Sequence, residues 1–167
     1  GVTMKVYDSP DRASAGRCCS LQDVSDARAV AQKLGIPYYV LDFVEPFREK
    51  VIENFIAQYS AGRTPIPCVH CNREIKFGTL LEKADRLQAD FVATGHYARV
   101  EWRSGLPRLK TGVDSSKDQS YFLFSLTSSQ LSRTLFPIGG LTKAEVRRRA
   151  EELGLHLAQK PESQEIC

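Results

Sequence analysis

In the stretch Phe91-Val92-Ala93-Thr94-Gly95-His96-Tyr97, four strand-compatible residues run into a glycine and then a histidine. Phe91 to Thr94 reads as a short strand, because aromatic and β-branched side chains fit a pleated, half-buried surface. Gly95 follows the predicted strand end, where a missing Cβ lets another backbone or a ligand come close. His96 adds a hydrogen-bonding group whose ordinary titration lies near neutral pH. A strand that ends in such a group is the edge at which open α/β sheets bind ligands.

Working back from this stretch, helical and strand patterns alternate. Cys71 to Leu87 reads as a helix through Ile75, Leu80, Leu81, Ala84 and Leu87, entered from a loop, Gly62-Arg63-Thr64-Pro65-Ile66-Pro67. Before it, Pro46 suits a first helical turn, and Phe47, Val51, Ile52, Phe55, Ile56 and Tyr59 form an apolar face. Tyr38-Tyr39-Val40-Leu41 reads as a buried strand. Ser20 with Asp23 opens an earlier helix that Gly35 closes, and Val2 to Val6 reads as a strand. Strands separated by single helices predict an α/β fold, a parallel sheet with flanking helices.

Working forward, the pattern changes. Ala98 to Trp102 and Leu109 to Thr111, around Gly105, predict a hairpin. Short helices follow, and Thr142 with Glu145 forms a capping box for a helix ending at Gly154. The boundary is placed between residues 104 and 116. It divides an α/β part, residues 1–104, from a small, mainly helical part, residues 105–167.

The chain has 167 residues and a net charge of +3, which permits a nucleic-acid partner without requiring one. Arg147-Arg148-Arg149 concentrates positive charge on one predicted helix, where a solvated face is the plainer reading. No run approaches the ~18 apolar residues of a membrane span, and no signal peptide opens the chain. A cytoplasmic address and no membrane partner are therefore expected. Residue 1 is Gly rather than Met, Val2 to Val6 reads as a strand already under way, and Cys167 follows a polar loop without a closing element, so the chain reads as a fragment.

An odd set of five cysteines, Cys18, Cys19, Cys68, Cys71 and Cys167, argues against a disulfide scaffold and for metal or thiol chemistry. Cys68-Val69-His70-Cys71 is a Cys-x-x-Cys at a predicted helix start, where the free amides and the helix dipole favour a thiolate. With no second such pair, a four-cysteine zinc site is not assembled, and Cys167 is the candidate for a third sulfur. Gly112-Val113-Asp114-Ser115-Ser116 imitates a phosphate-binding loop but lacks its second glycine and the preceding first strand, so it reads as a decoy. The polar cluster Lys117-Asp118-Gln119-Ser120-Tyr121 follows.

Taken together, Cys18-Cys19-Ser20, Gly62-Arg63-Thr64-Pro65, Cys71-Asn72-x-x-Ile75-Lys76-Phe77, Ala93-Thr94-Gly95-His96-Tyr97, Lys117-Asp118-Gln119-Ser120-Tyr121 and Ile166-Cys167 resemble, in order, the tRNA-specific 2-thiouridylase family. The resemblance implies an adenine nucleotide alpha hydrolase-like fold of the PP-loop ATP pyrophosphatase kind. It also implies ATP-dependent, Mg-assisted thiolation of a wobble uridine in tRNA. In that chemistry ATP adenylates the 2-carbonyl oxygen, and sulfur then displaces AMP. By the same resemblance, Cys71 and Cys167 match the catalytic cysteines. Met4, Gly95 and His96 match nucleotide contacts, and Lys117, Asp118 and Gln119 match tRNA contacts. The implied partners are tRNA and a sulfur-relay protein or cysteine desulfurase. Many members carry Asp where this chain has Cys68. Three sulfurs, Cys68, Cys71 and Cys167, would suit a 4Fe–4S cluster that binds hydrosulfide; two would suit a persulfide relay. The family's nucleotide loop and C-terminal β-barrel are expected outside this sequence, so the piece alone is expected to be inactive. Two rivals remain: an adenylating enzyme acting on a small molecule, and a zinc or redox module without catalysis.

Overall fold

A computed structural model of the chain describes residues 1–7 and 21–161. Its elements run β1 (Val2–Lys5), α1 (Leu21–Lys33), β2 (Tyr39–Asp42), α2 (Val44–Phe47) and α3 (Glu53–Ser60), the last two joined by a π-helical turn, Arg48–Ile52. Next come α4 (Pro67–His70), a π-helical stretch Cys71–Thr79 and α5 (Leu80–Arg86), then β3 (Val92–Ala93). The hairpin β4 (Ala98–Arg103) and β5 (Leu106–Thr111) follows, then a 3-10 turn Ser120–Leu123, α6 (Ser128–Ser132), β6 (Thr134–Leu135) and α7 (Lys143–Glu152).

The expected α/β architecture is present. β1 pairs with β2 in parallel, Val2 opposite Tyr39. β3 pairs in parallel with β6, Val92 opposite Thr134. Both connections pass through helices, as parallel neighbours require. The hairpin is antiparallel, with Arg103 opposite Leu106. Ser104 and Gly105 turn it at positive φ, 51° and 75°, the twist that two-residue hairpin loops need. Gly35 closes α1 at φ 66°, and the Thr142–Glu145 capping box opens α7 as expected.

The continuous helical rod from Pro67 to Arg86 is the spine of the molecule. One side sends Cys71 and Ile75 into a cluster with Val6, Phe43, Phe47 and Val51. The other side sends Phe77, Leu81 and Ala84 into a cluster with Val92, Ala98, Leu123, Leu126 and Leu131. Leu80 packs against both. Phe43, Phe47, Ile75, Phe77 and Leu123 are the largest fully buried side chains, each stabilising by about 1.5–3 kcal/mol through burial. Residues on both sides of the 104–116 region share the second cluster, and β6 returns to pair with β3.

Three local expectations need correction. β2 is not buried: Tyr39 and Val40 are exposed, because β1 is its only sheet neighbour among the described residues. The apolar face expected from Phe47 to Tyr59 is buried only before α3, at Phe47 and Val51; Phe55, Ile56 and Tyr59 remain exposed. The short pairing segment β6 lies where the sequence suggested only helices. Among the described residues, no helix is long and apolar enough to cross a membrane.

Candidate functional site

A cavity of about 730 Å³ runs along β1 and β3. These two strands belong to separate parallel pairs. Val2 and Met4 line it from β1, Phe91 to His96 from β3 and its exit, and Lys76, Leu80 and Ala84 from the helical spine. Gln119 reaches it from the segment after the hairpin. Four residues singled out by sequence, Met4, Gly95, His96 and Gln119, therefore share one wall system. Cys68 and Cys71 do not line it. Lys76, to which the sequence reading gave no role beyond its place in the stretch Ile75-Lys76-Phe77, does.

His96 departs from expectation. It is 9% exposed and packed between the rings of Phe77 and Phe136, with centroids 5.9 Å from each. Burial, with the nearby Lys76 charge, pushes its pKa down to about 4. It is thus a neutral imidazole at physiological pH, its Nδ1 hydrogen-bonded to Thr94 Oγ1 at 2.8 Å. The sign follows from linkage. The unfolded imidazole takes a proton near 6.5, the folded one only near 4, so this burial destabilises the fold progressively as pH falls between those values. Full protonation would cost roughly 3 kcal/mol for a shift of this size. A His96→Gln variant should lose that acid sensitivity; unchanged unfolding curves between pH 6.5 and 4 for both proteins would contradict it.

Gln119 is held at both ends. Its backbone amide donates to Tyr97 O at 2.9 Å, and its Oε1 accepts from Tyr97 N at 3.0 Å. The acceptor half of the side chain is thereby committed. Nε2 is left as the half available to a ligand, having no protein acceptor among the described residues. Asp118 closes the turn by accepting from Gly112 N at 2.7 Å and from Ser120 Oγ at 2.7 Å. Lys117 is part-buried on the same loop.

The segment Gly112–Ser116 serves structure here. Asp114 accepts from Ser116 Oγ at 2.6 Å and from the Lys143 amide at 2.9 Å, which ties the loop to the start of α7. These bonds, the Ser116 hydroxyl first, hold the Asp114 carboxyl below the ordinary carboxylate range. A Cβ on Gly112 would lie 2.8 Å from Tyr97 O, so this glycine allows a close backbone crossing beside the cavity.

The Cys-x-x-Cys lies at a helix start as expected, with Pro67 in the first turn. Cys68 is half-buried, whereas Cys71, one turn in, is 7% exposed. Their spacing of three places both on one helical face. Among the described residues, no three of His, Cys, Asp or Glu gather as a metal site. Cys167 and the Cys18-Cys19 pair lie outside the described residues.

The family model described as "tRNA methyl transferase HUP domain" matches residues 1–167. The chain belongs to this family. Proteins named tRNA-specific 2-thiouridylase MnmA are similar along its whole length. The one from Heliobacterium modesticaldum is 56% identical over 171 residues, covering 100% of this chain and 44% of the relative. That from Geobacter metallireducens is 53% identical over 173 residues, covering 100% and 47%. That from Rickettsia rickettsii (strain Sheila Smith) is 49% identical over 168 residues, covering 100% and 46%. The chain spans about half the length of these relatives. The family assignment carries the HUP-type α/β fold, in agreement with the two parallel strand pairs and their flanking helices.

Proposed function

We propose that this chain is the base-recognising, thiol-bearing part of an ATP-dependent tRNA 2-thiouridylase. The observation that carries the reading is the convergence of Met4, Gly95, His96 and Gln119 on one cavity. Residues 1–104 serve the nucleotide, and residues 105–167 face the tRNA. The relatives' names speak of 2-thiouridine in tRNA, and the paired cysteines of this chain supply chemistry that a methyl transfer would not need.

The described residues fit the base end of ATP better than its phosphates. Met4 and the open backbone at Gly95 form a wall that an adenine can approach, with Mg expected alongside the phosphates. ATP, when bound, supplies activation of the uridine 2-carbonyl oxygen. This chain's residues do the rest. Neutral His96 hydrogen-bonds without adding charge, and Lys76 places a cation on the cavity wall. Cys71 provides the thiol for sulfur transfer, with Cys167 as its partner. The sulfur arrives through a cysteine desulfurase or relay protein. Cys68 supports a second reading, in which Cys68, Cys71 and Cys167 hold a 4Fe–4S cluster. The first two fit as a helical pair, and the third ligand lies outside the described residues.

The committed Oε1 sharpens the role of Gln119. With Nε2 as its free half, it can donate to uridine O4, whereas cytidine presents an amino donor at that position. An enzyme that modifies a base must take it from its stack and read its edge in this manner. In the whole protein, Gln119→Ala should lower thiolation about tenfold or more while ATP binding persists. Turnover equal to wild type would remove Gln119 from the site and leave it only its bonds to Tyr97.

A further inference from the structure

Asn72 follows Cys71 and is 2% exposed. Its Nδ2 donates to Phe122 O at 3.1 Å, three residues beyond Gln119. A carbonyl can only accept, so the amide's orientation is fixed by this bond. Oδ1 then faces a buried space and meets no donor among the described residues. A buried acceptor left unpaired costs about 1–3 kcal/mol, more than one neutral hydrogen bond commonly returns. The side chain is therefore poorly explained by stability alone, and a buried unpaired group calls for another reason.

That reason lies in what the amide joins. The Cys71–Thr79 stretch is π-helical, a geometry that gathers at functional sites. Gln130 Nε2 donates to Arg73 O at 3.0 Å and to Phe77 O at 2.8 Å. Its Oε1 is occupied by Thr127 N at 3.0 Å. Asn72 thus fastens the segment carrying Gln119 and Phe122 to the helix carrying Cys71, while Gln130 fastens α6 to the same helix. Of the two, Asn72 adjoins the thiol directly and bonds within three residues of Gln119.

We infer that Asn72 is a positioning residue, which sets the base-reading segment at Gln119 in register with the Cys71 helix. It acts through Phe122 O and touches no reacting atom itself. The inference rests on the reading of Gln119 given above.

A double-mutant cycle tests it. The full chain is titrated at fixed salt with an RNA stem-loop bearing an unpaired uridine, and with the same loop bearing cytidine. Gln119→Ala should weaken uridine-loop binding roughly three- to tenfold, as loss of one hydrogen bond implies, and reduce the preference over cytidine. Asn72→Ala should do the same. The double variant should be no weaker than either single one, since both remove one linked interaction. Asn72→Leu keeps much of the volume without the donor or a new charge and should behave as Asn72→Ala, which covers the case in which the smaller side chain fails to fold. Thermal unfolding is recorded for each. Additive losses, or equal losses with both loops, would show a general structural effect and overturn the role of Asn72 while Gln119 stands. No preference for the uridine loop in the unaltered chain would overturn the reading of Gln119 and this inference together.

Discussion

Gly139→Ala is expected to destabilise the fold by at least about 3 kcal/mol and to lower the melting temperature by roughly 6–12 °C. A Cβ at Gly139 would lie 1.6 Å from Ala98 O and 2.6 Å from Ala98 C. Those are backbone atoms of a residue that is fully buried at the start of β4, so no side chain can turn aside to make room. The chain around Gly139 must move away, and with it the bond from Val113 N to Gly139 O, 3.0 Å, that seats the loop after the hairpin. Gly140 is the internal control. A Cβ there meets nothing within 4 Å, so Gly140→Ala should be near neutral. Differential scanning calorimetry of the two variants checks the claim. Equal melting temperatures would mean that the crossing at Ala98 is not as close as described.

The same crossing shows where sequence reasoning reached and where it stopped. Gly95 and His96 were legible because a strand ended there. That Gly112 and Gly139 both press on the Tyr97–Ala98 backbone was not, since contacts across such distances leave no local pattern. Gly112 even invited a phosphate-loop reading. Its role became clear only when Tyr97 O was found 2.8 Å from its missing Cβ.

Long elements were read well because their signals are redundant. The helix after Cys71 had five apolar positions in step, and α7 had both halves of its capping box. β6 has two residues, too few for any alternation, and is held by Thr134, 3% exposed, whose hydroxyl donates to Gln130 O at 2.8 Å. The burial of β2 was misjudged for the opposite reason. Tyr39 and Val40 announce a strand, but apolar character cannot say whether another layer covers it. His96 was read with its ordinary titration because nothing in the sequence tells that Phe77 and Phe136 enclose it.

The π-helical geometry at Cys71 was likewise invisible from sequence. It nevertheless decides how the side chains after Cys71 are turned. An α-helical continuation would advance each later side chain by a different angle around the axis. Gly78 accommodates the wider turn: a Cβ there would lie 3.0 Å from Arg73 O, the same carbonyl that Gln130 satisfies. The polar brace and the glycine therefore describe one local adaptation beside the candidate nucleophile.

Substitution of the cysteines should produce the largest functional effect. In the whole protein, Cys71→Ala is expected to reduce thiolation on the order of 10³-fold or more, because it removes the sulfur nucleophile itself. Cys71 packs with Val6, Phe43, Phe47 and Ile75, so its loss also leaves a small void; Cys71→Ser keeps the volume but buries a hydroxyl among apolar groups, and should be as inactive with no less loss of stability. Cys167→Ala should match it in both sulfur routes. Cys68 separates them. If sulfur travels as a persulfide between Cys167 and Cys71, Cys68→Ala should stay within a few-fold of wild type. If the three cysteines hold a cluster, Cys68→Ala should lose iron, colour and turnover together. A relay of two sulfurs gives Cys68 no task, which is why its substitution separates the two routes. Anaerobic purification with iron and sulfide quantified, beside single-turnover thiolation, reads both. A colourless, iron-free and fully active protein would end the cluster reading and leave the persulfide between Cys71 and Cys167 as the route.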